Sequence, residues 1–297
     1  MANLGDNQLV HRAREKKDIL LPPDMAASLA ARHLPAGDVA PMRPQIVLAL
    51  LMIWLGISAG RVLAYEVSEV QNGGTIVGRV VFVGPIPHLP PLVITKDQDV
   101  CGTAAAPQML LVSPDNRGVK DTIIAVEGIT KGKVPAAYKP TLDNHKCVLV
   151  PRVQAVMVGT EMVIQSSDPF LHTTRGRFPD FKQAFNLVFP KNTPAKEQRL
   201  RFPGVIAVTC DTHAHMRAYI LSFEHPYFTV TDGDGRFQID QVPAGSYTLQ
   251  AWHEGWRTLE YDQDGRPQYE DPYVLTAEVT VMAGKTTHIE FQLAARQ

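Results

Sequence analysis

From Tyr227 onward, short alternating apolar runs are separated by turn signals every few residues, and this pattern restricts the fold more than any other feature. Tyr227–Thr231 has strand composition and is followed by Asp232-Gly233-Asp234-Gly235. In the next run Phe237 and Ile239 point to one side, Val242-Pro243-Ala244-Gly245 turns the chain, and Tyr247, Leu249 and Ala251 alternate again. Two last strands are expected near 274–282 and 286–293, on either side of Ala283-Gly284-Lys285. Period-two patterning punctuated by Gly, Pro and Asp specifies short strands, and many such strands at regular spacing specify a β-sandwich.

The region between residues 65 and 225 has the same character with less regular spacing. Strands are expected at Thr75–Val83, Thr122–Val126, Glu161–Gln165, Phe202–Cys210 and Ala218–Phe223, with a further apolar run over Lys146–Val158 broken by Pro151 and Arg152. The four prolines in 84–91 exclude a helix or a central strand there. Residues 176–200 carry no clear period and read as a long loop. After residue 70 no amphipathic pattern sustains three helical turns.

The N-terminus is a separate matter. Ile46–Ala59 is an uncharged apolar run with Arg43 before it and Val62-Leu63-Ala64 after it. At 1.5 Å per residue it is roughly 21 Å long, short of the ~30 Å hydrocarbon core. These are the features of a secretory signal peptide over 42–64. Residues 1–41 are polar, and Met42 is the expected true start, which leaves 1–41 as a start-site artefact or disordered leader. The alternative is an uncleaved membrane anchor. The signal implies a periplasmic or otherwise exported protein.

Lys and Arg number 29 against 30 Asp and Glu. So balanced a charge gives no reason to expect a nucleic-acid partner, and a membrane contact is expected only if the signal segment stays uncleaved. No serine elbow, His-Glu-x-x-His or phosphate-cradling glycine loop is present, so the chain is not expected to be an enzyme.

The chemistry is concentrated in CDTHAHM. Cys210, His213 and Met216 recur at three-residue intervals just after a strand, where a tight loop can turn all three towards one point. Thiolate and thioether are soft donors and imidazole is intermediate, a set that suits copper in both oxidation states. Zinc does not favour a thioether. A trigonal Cys-His-His site with a weak axial Met needs a second imidazole, and His172 in SSDPFLHTT is best placed to supply it. Three cysteines, an odd number in an exported protein, leave one for a role other than pairing.

On these residues the chain resembles the cupredoxins, its short Cys-x-x-His-x-x-Met loop being most similar to that of amicyanin. More of the chain resembles bacterial exported methylamine-utilisation and plastocyanin-like proteins, which join a cupredoxin to a carboxypeptidase-regulatory-like β-domain. The matching strings are GRVVFVGPIP, KDQDVCG, GVKDTIIAVEG, HKCVLVPRV, SSDPFLHTT, CDTHAHM, HPYFTVTDGDGRFQIDQVPAGSY and AWHEG. The resemblance implies an all-β chain: a Greek-key cupredoxin sandwich over 65–225, then a smaller prealbumin-like sandwich over 226–297. It implies one type 1 copper held by His172, Cys210, His213 and Met216. Ser166 stands where such proteins usually have an Asn that ties the ligand loops, and Arg152 where a His is usual. His215 replaces an aromatic residue; it is expected to be solvated, or else an extra metal contact.

A Cys101–Cys147 disulfide would leave Cys210 as the metal thiolate; two separate buried thiols are the alternative. The expected function is single-electron transport, with a redox protein such as a c-type cytochrome or a periplasmic dehydrogenase as partner. His213 is the expected surface exit for the electron, with Phe170, Leu171 and Ala214 as an apolar patch around it. Two other functions compete: a carbohydrate-binding or cell-envelope module, in which Trp252, Trp256, Tyr261 and Tyr269 stack on sugars, and a copper carrier or store. The Asp232–Gly235 and Asp262–Gly265 strings echo calcium loops but read better as hairpin turns, and His253-Glu254 has no metal partner at ligand spacing.

Overall fold

The structure, a computed structural model, describes residues 65–296. The signal segment and the leader before it lie outside these residues. Among the described residues the regular structure is almost entirely strand, with a single helical turn at Gln98–Cys101. No helix among them is long and apolar enough to cross a membrane.

Two sandwiches account for most strands. In the first, a four-stranded sheet runs in the order Lys196–Arg199, Glu161–Ser166, Thr141–His145, Val148–Val150. It faces a five-stranded sheet in the order Gln183–Phe189, His172–Arg177, Gly204–Cys210, Arg217–Phe223, Val153–Met157. Leu142, Leu149, Val156, Met162, Ile164, Phe185, Phe189, Ile206, Val208 and Ile220 fill the space between them, and Cys210 and Met216 belong to the same cluster. Each fully buried Phe or Leu there contributes roughly 1.5–3 kcal/mol.

The second sandwich is not confined to the expected 226–297. Its four-stranded sheet has the order Phe228–Val230, Ile123–Val126, Gly245–His253, Tyr273–Val281, and its three-stranded sheet the order Arg236–Val242, Gly74–Val83, Thr286–Ala294. Gly74–Val83 lies parallel to the final strand, with Thr75 opposite Thr286 and Val83 opposite Ala294. Two strands expected in the first domain are thus central strands of the second, and the first sandwich is inserted between them and the C-terminal strands. The reason is burial. Ile76, Val80 and Phe82 on one strand, and Ile124 and Val126 on the other, close a core with Tyr227, Phe237, Leu249, Trp256, Val279 and Phe291.

The two sandwiches also pack against each other. Val153, Ala155, Tyr219 and Leu221 from the five-stranded sheet meet Ile123 and Trp252 from the four-stranded sheet of the second sandwich. This explains why Ala218–Leu221 is apolar at every position instead of alternating. Ala218 and Ile220 face the first core, while Tyr219 and Leu221 face the contact between sandwiches, the signature of a strand buried on both sides. In the same region Arg152 grips Glu254 with both guanidinium ends (Nη2 to Oε2 2.7 Å), and both side chains are nearly covered.

Residues 176–200 are not a long loop. The segment forms two strands, Gln183–Phe189 and Lys196–Arg199, at the outer ends of the first sandwich's sheets. One face of each is exposed, so polar residues interrupt the pattern; only Phe185 and Phe189 are fully inward.

Candidate metal centre

The Gly204–Cys210 and His172–Arg177 strands pair antiparallel with Thr174 opposite Cys210, which sets His172 beside the thiol. Beyond Cys210 the chain turns, the Met216 amide donating to the His213 carbonyl at 3.0 Å, and this brings His213 back over the same point. Nδ1 of His172 and Nδ1 of His213 each lie 3.6 Å from Cys210 Sγ. The three donor atoms all fall within 4.8 Å of one another, and all three residues are buried. Met216 is buried in the same core cluster as Cys210. A soft thiolate, two imidazole nitrogens with converging Nδ1 atoms and an adjacent thioether fit copper as a donor set.

Both imidazoles are held from behind by carboxylates. Asp168 Oδ2 lies 3.1 Å from His172 Nε2, and Asp97 Oδ2 lies 2.8 Å from His213 Nε2. A carboxylate at Nε2 keeps the proton there and leaves the Nδ1 lone pair directed at the metal position. Asp168 has a second task. Lys146 and Cys147 form a tight hairpin turn with positive φ at both residues, and their amides donate to the two Asp168 oxygens at 2.6 and 2.9 Å. One side chain thus fastens a turn and a ligand together.

Burial alone pushes the Cys210 thiol up, but the two imidazoles and the Thr173 N–H outweigh it and hold the group at about 5. Burial pulls His213 down, and its hydrogen bonds to Cys210 and Asp97 outweigh that and raise it. From the hairpin between Thr258–Tyr261 and Pro267–Tyr269, Arg266 donates to the Cys210 carbonyl at 3.0 Å.

Of the residues singled out in the sequence, His172, Cys210 and His213 come together, and Met216 is buried in the same core cluster as Cys210. Cys101 and Cys147 form a disulfide. His215 is not solvated: it is buried and donates from Nε2 to the Cys147 carbonyl at 2.9 Å, outside the cluster. Burial lowers its pKa, with the Cys147 carbonyl opposing. Ser166 does not tie the loops, since its buried hydroxyl has no partner. Asn144, beside it in the parallel pairing, makes that connection by donating to the Gln165 carbonyl and the Thr174 hydroxyl at 2.8 and 2.9 Å. His213 is not at the surface either. Asp97 covers its edge, and Phe170 packs against the His172 and His213 rings with centroids 5.1 and 5.4 Å away. Ala214 is half-buried, while Leu171 is 45% exposed.

The remaining candidates have structural roles. Asp232 and Asp262 each accept amide hydrogen bonds from two residues of their own turns. Glu254 is taken by Arg152, and His253 is buried against the Glu254 carbonyl. Trp252 and Trp256 are core residues, the latter stacked on Tyr273; Tyr269 is half-buried, and Tyr261 is 62% exposed. Asp97, Asp168, Asn144 and Arg266 were not identified from sequence. Only Asp168, four residues before His172, gave a local signal.

A buried His-Cys-His cluster at one end of an all-β sandwich is a donor arrangement suited to copper. Residues 218–294 match the family model of the carboxypeptidase regulatory-like domain. That match omits the Gly74–Val83 and Ile123–Val126 strands that complete the second sandwich. No curated protein matches the chain. Among solved structures it is similar to a copper-containing nitrite reductase from Thermus scotoductus SA-01, at 20% identity over 31% of this chain and 24% of that one, with a TM-score of 0.26. A novel purple cupredoxin from Nitrosopumilus maritimus aligns at 18% identity over 29% of this chain and all of its own, TM-score 0.26. Amicyanin from Paracoccus versutus aligns at 14% over 30% of this chain and 85% of its own, TM-score 0.26. The chain therefore spans about a quarter of the reductase, and the reading of the site rests on its own geometry.

Proposed function

We propose that this is an exported type 1 copper protein that carries single electrons between redox partners and does no bond chemistry. The observation that carries the reading is the convergence of two imidazole Nδ1 atoms on a buried thiol, with Met216 in the same buried cluster. Copper bound there supplies a one-electron couple. The chain's part is to hold three buried donors by hydrogen bonds that need not rearrange when the charge changes, which keeps reorganisation small. A catalytic metal site keeps a position open for substrate, and four protein donors leave none. Phe170 touches both ligand rings, and Leu171 beside it is exposed. The electron is taken to leave by this edge, towards a c-type cytochrome or periplasmic dehydrogenase.

Copper-loaded, oxidised protein should show an intense visible charge-transfer band. Cys210→Ser should abolish the band, and Met216→Leu should keep it while altering the potential. A colourless copper-loaded protein refutes the type 1 assignment. Several coppers per chain with irreversible voltammetry would indicate a store.

A further inference from the structure

Asp97 precedes the helical turn Gln98–Cys101, where an aspartate ordinarily caps free amides with its side chain. It makes no such bond, and its backbone is left-handed at φ 51°, ψ 39°, an uncommon conformation for a residue with a Cβ. The carboxylate reaches His213 Nε2 at 2.8 Å instead. The segment that carries it belongs to neither sheet of the copper-side sandwich. It is anchored at its far end: the Cys101 amide donates to the Asp97 carbonyl at 2.8 Å, and Cys101 is bonded to Cys147. The Cys147 amide in turn binds Asp168, the carboxylate behind His172. One disulfide therefore joins the segment that carries Asp97 to the turn that fastens Asp168.

We propose that Asp97 is a positioning residue for the metal: a carboxylate brought from outside the copper-side sandwich, latched by the Cys101–Cys147 disulfide, that strengthens His213 as a donor to copper(II). The inference rests on the copper reading above. An anion at Nε2–H shifts electron density in the ring towards Nδ1. Copper(II) gains more from the stronger donor than copper(I), so the carboxylate lowers the reduction potential.

Asp97→Asn is the discriminating variant, because asparagine tolerates the left-handed backbone and can still accept from Nε2–H, but carries no charge. Loss of a carboxylate behind a metal-bound histidine typically costs 10–100-fold in affinity. With copper(I) affinity unchanged, a copper(II) loss of that size raises the potential by about 60–120 mV, at 59 mV per tenfold. Asp97→Glu should stay nearer the parent protein. The Cys101→Ser/Cys147→Ser pair should shift the potential in the same direction, and adding Asp97→Asn to it should give less than the single variant's effect. In the metal-free protein, once His213 is neutral, nitrogen NMR should find its proton on Nε2, and Asp97→Ala should mix the tautomers. A copper(II) affinity within twofold of the parent in Asp97→Asn, full additivity with the disulfide variant, or an unchanged tautomer in Asp97→Ala overturns the inference. A parent protein that loads copper without a thiolate band overturns the copper reading instead.

Discussion

Replacing Arg152 with methionine should strip the cation from a carboxylate that has nowhere to go. Glu254 is 2% exposed and takes both guanidinium ends of Arg152. Burial lowers Arg152 to about 10, so it remains charged at neutral pH. Removing one partner of a buried pair costs roughly 3–5 kcal/mol, against ~0–1 kcal/mol for a surface pair. For a folded unit of this size each kcal/mol is worth about 2–4 °C, which gives a melting shift of roughly 6–20 °C. Arg152→Met with Glu254→Leu removes both charges at similar volume and should recover most of the loss. The assay is urea unfolding of the parent, both single variants and the double, followed by far-ultraviolet circular dichroism. Because the pair joins the loop after Val148–Val150 to the end of Gly245–His253, the loss should appear in one transition spanning both sandwiches. A loss below about 1 kcal/mol in Arg152→Met, or a double variant as unstable as the sum of the singles, would refute the buried-pair reasoning.

Opening the Cys101–Cys147 link, which closes a separation of 46 residues, should cost about 4 kcal/mol on the chain-entropy model; denaturation of the Cys101→Ser/Cys147→Ser protein checks this, and a loss under ~1 kcal/mol would contradict it. Burial, together with the Arg152 charge, holds His253 at about 3 against an ordinary 6.5, with the Lys120 carbonyl opposing. The unfolded chain therefore takes up this proton first, and the His253 contribution is complete above pH 6.5 and lost as pH falls towards 3, at up to about 1.4 kcal/mol per pH unit. His253→Gln should flatten that part of the stability curve, and an identical slope would count against it. Asn144→Ala should leave the Thr174 hydroxyl without its buried partner and cost roughly 1–3 kcal/mol in a melt; no measurable change would show that water replaces the amide.

What the sequence displayed and what it concealed follow from distance along the chain. Three ligand candidates sit within seven residues, and strands such as Arg236–Val242 lie beside their own turns, so both were legible. Sheet membership was not. The composition of Gly74–Val83 is the same whichever sheet it joins, and its neighbour Thr286–Ala294 comes some two hundred residues later. Thr141–His145 was missed because its TLDNH sequence is mostly polar, yet Asn144 within it is fully buried. Asp97 lies in KDQD, a string that reads as solvated loop, and nothing local connects it to His213. His215 was misjudged for the same reason: the carbonyl that buries it belongs to the Lys146–Cys147 turn, far upstream.

The parallel pairing of the first long strand with the last one imposes an order of assembly. Every strand of the first sandwich lies between residues 141 and 223, whereas the second sandwich needs both Gly74–Val83 and Thr286–Ala294. Contacts between distant residues require the larger loop closure and form late. The ligand cluster is therefore complete in a chain whose outer frame is still open, with Gly74–Val83 lacking both neighbours and exposed to mispairing with other chains. Closure comes last, and with it the Arg152–Glu254 grip and the Arg266 bond to the Cys210 carbonyl. The residues of the His-Cys-His cluster all lie in the part of the chain that needs neither Gly74–Val83 nor Thr286–Ala294.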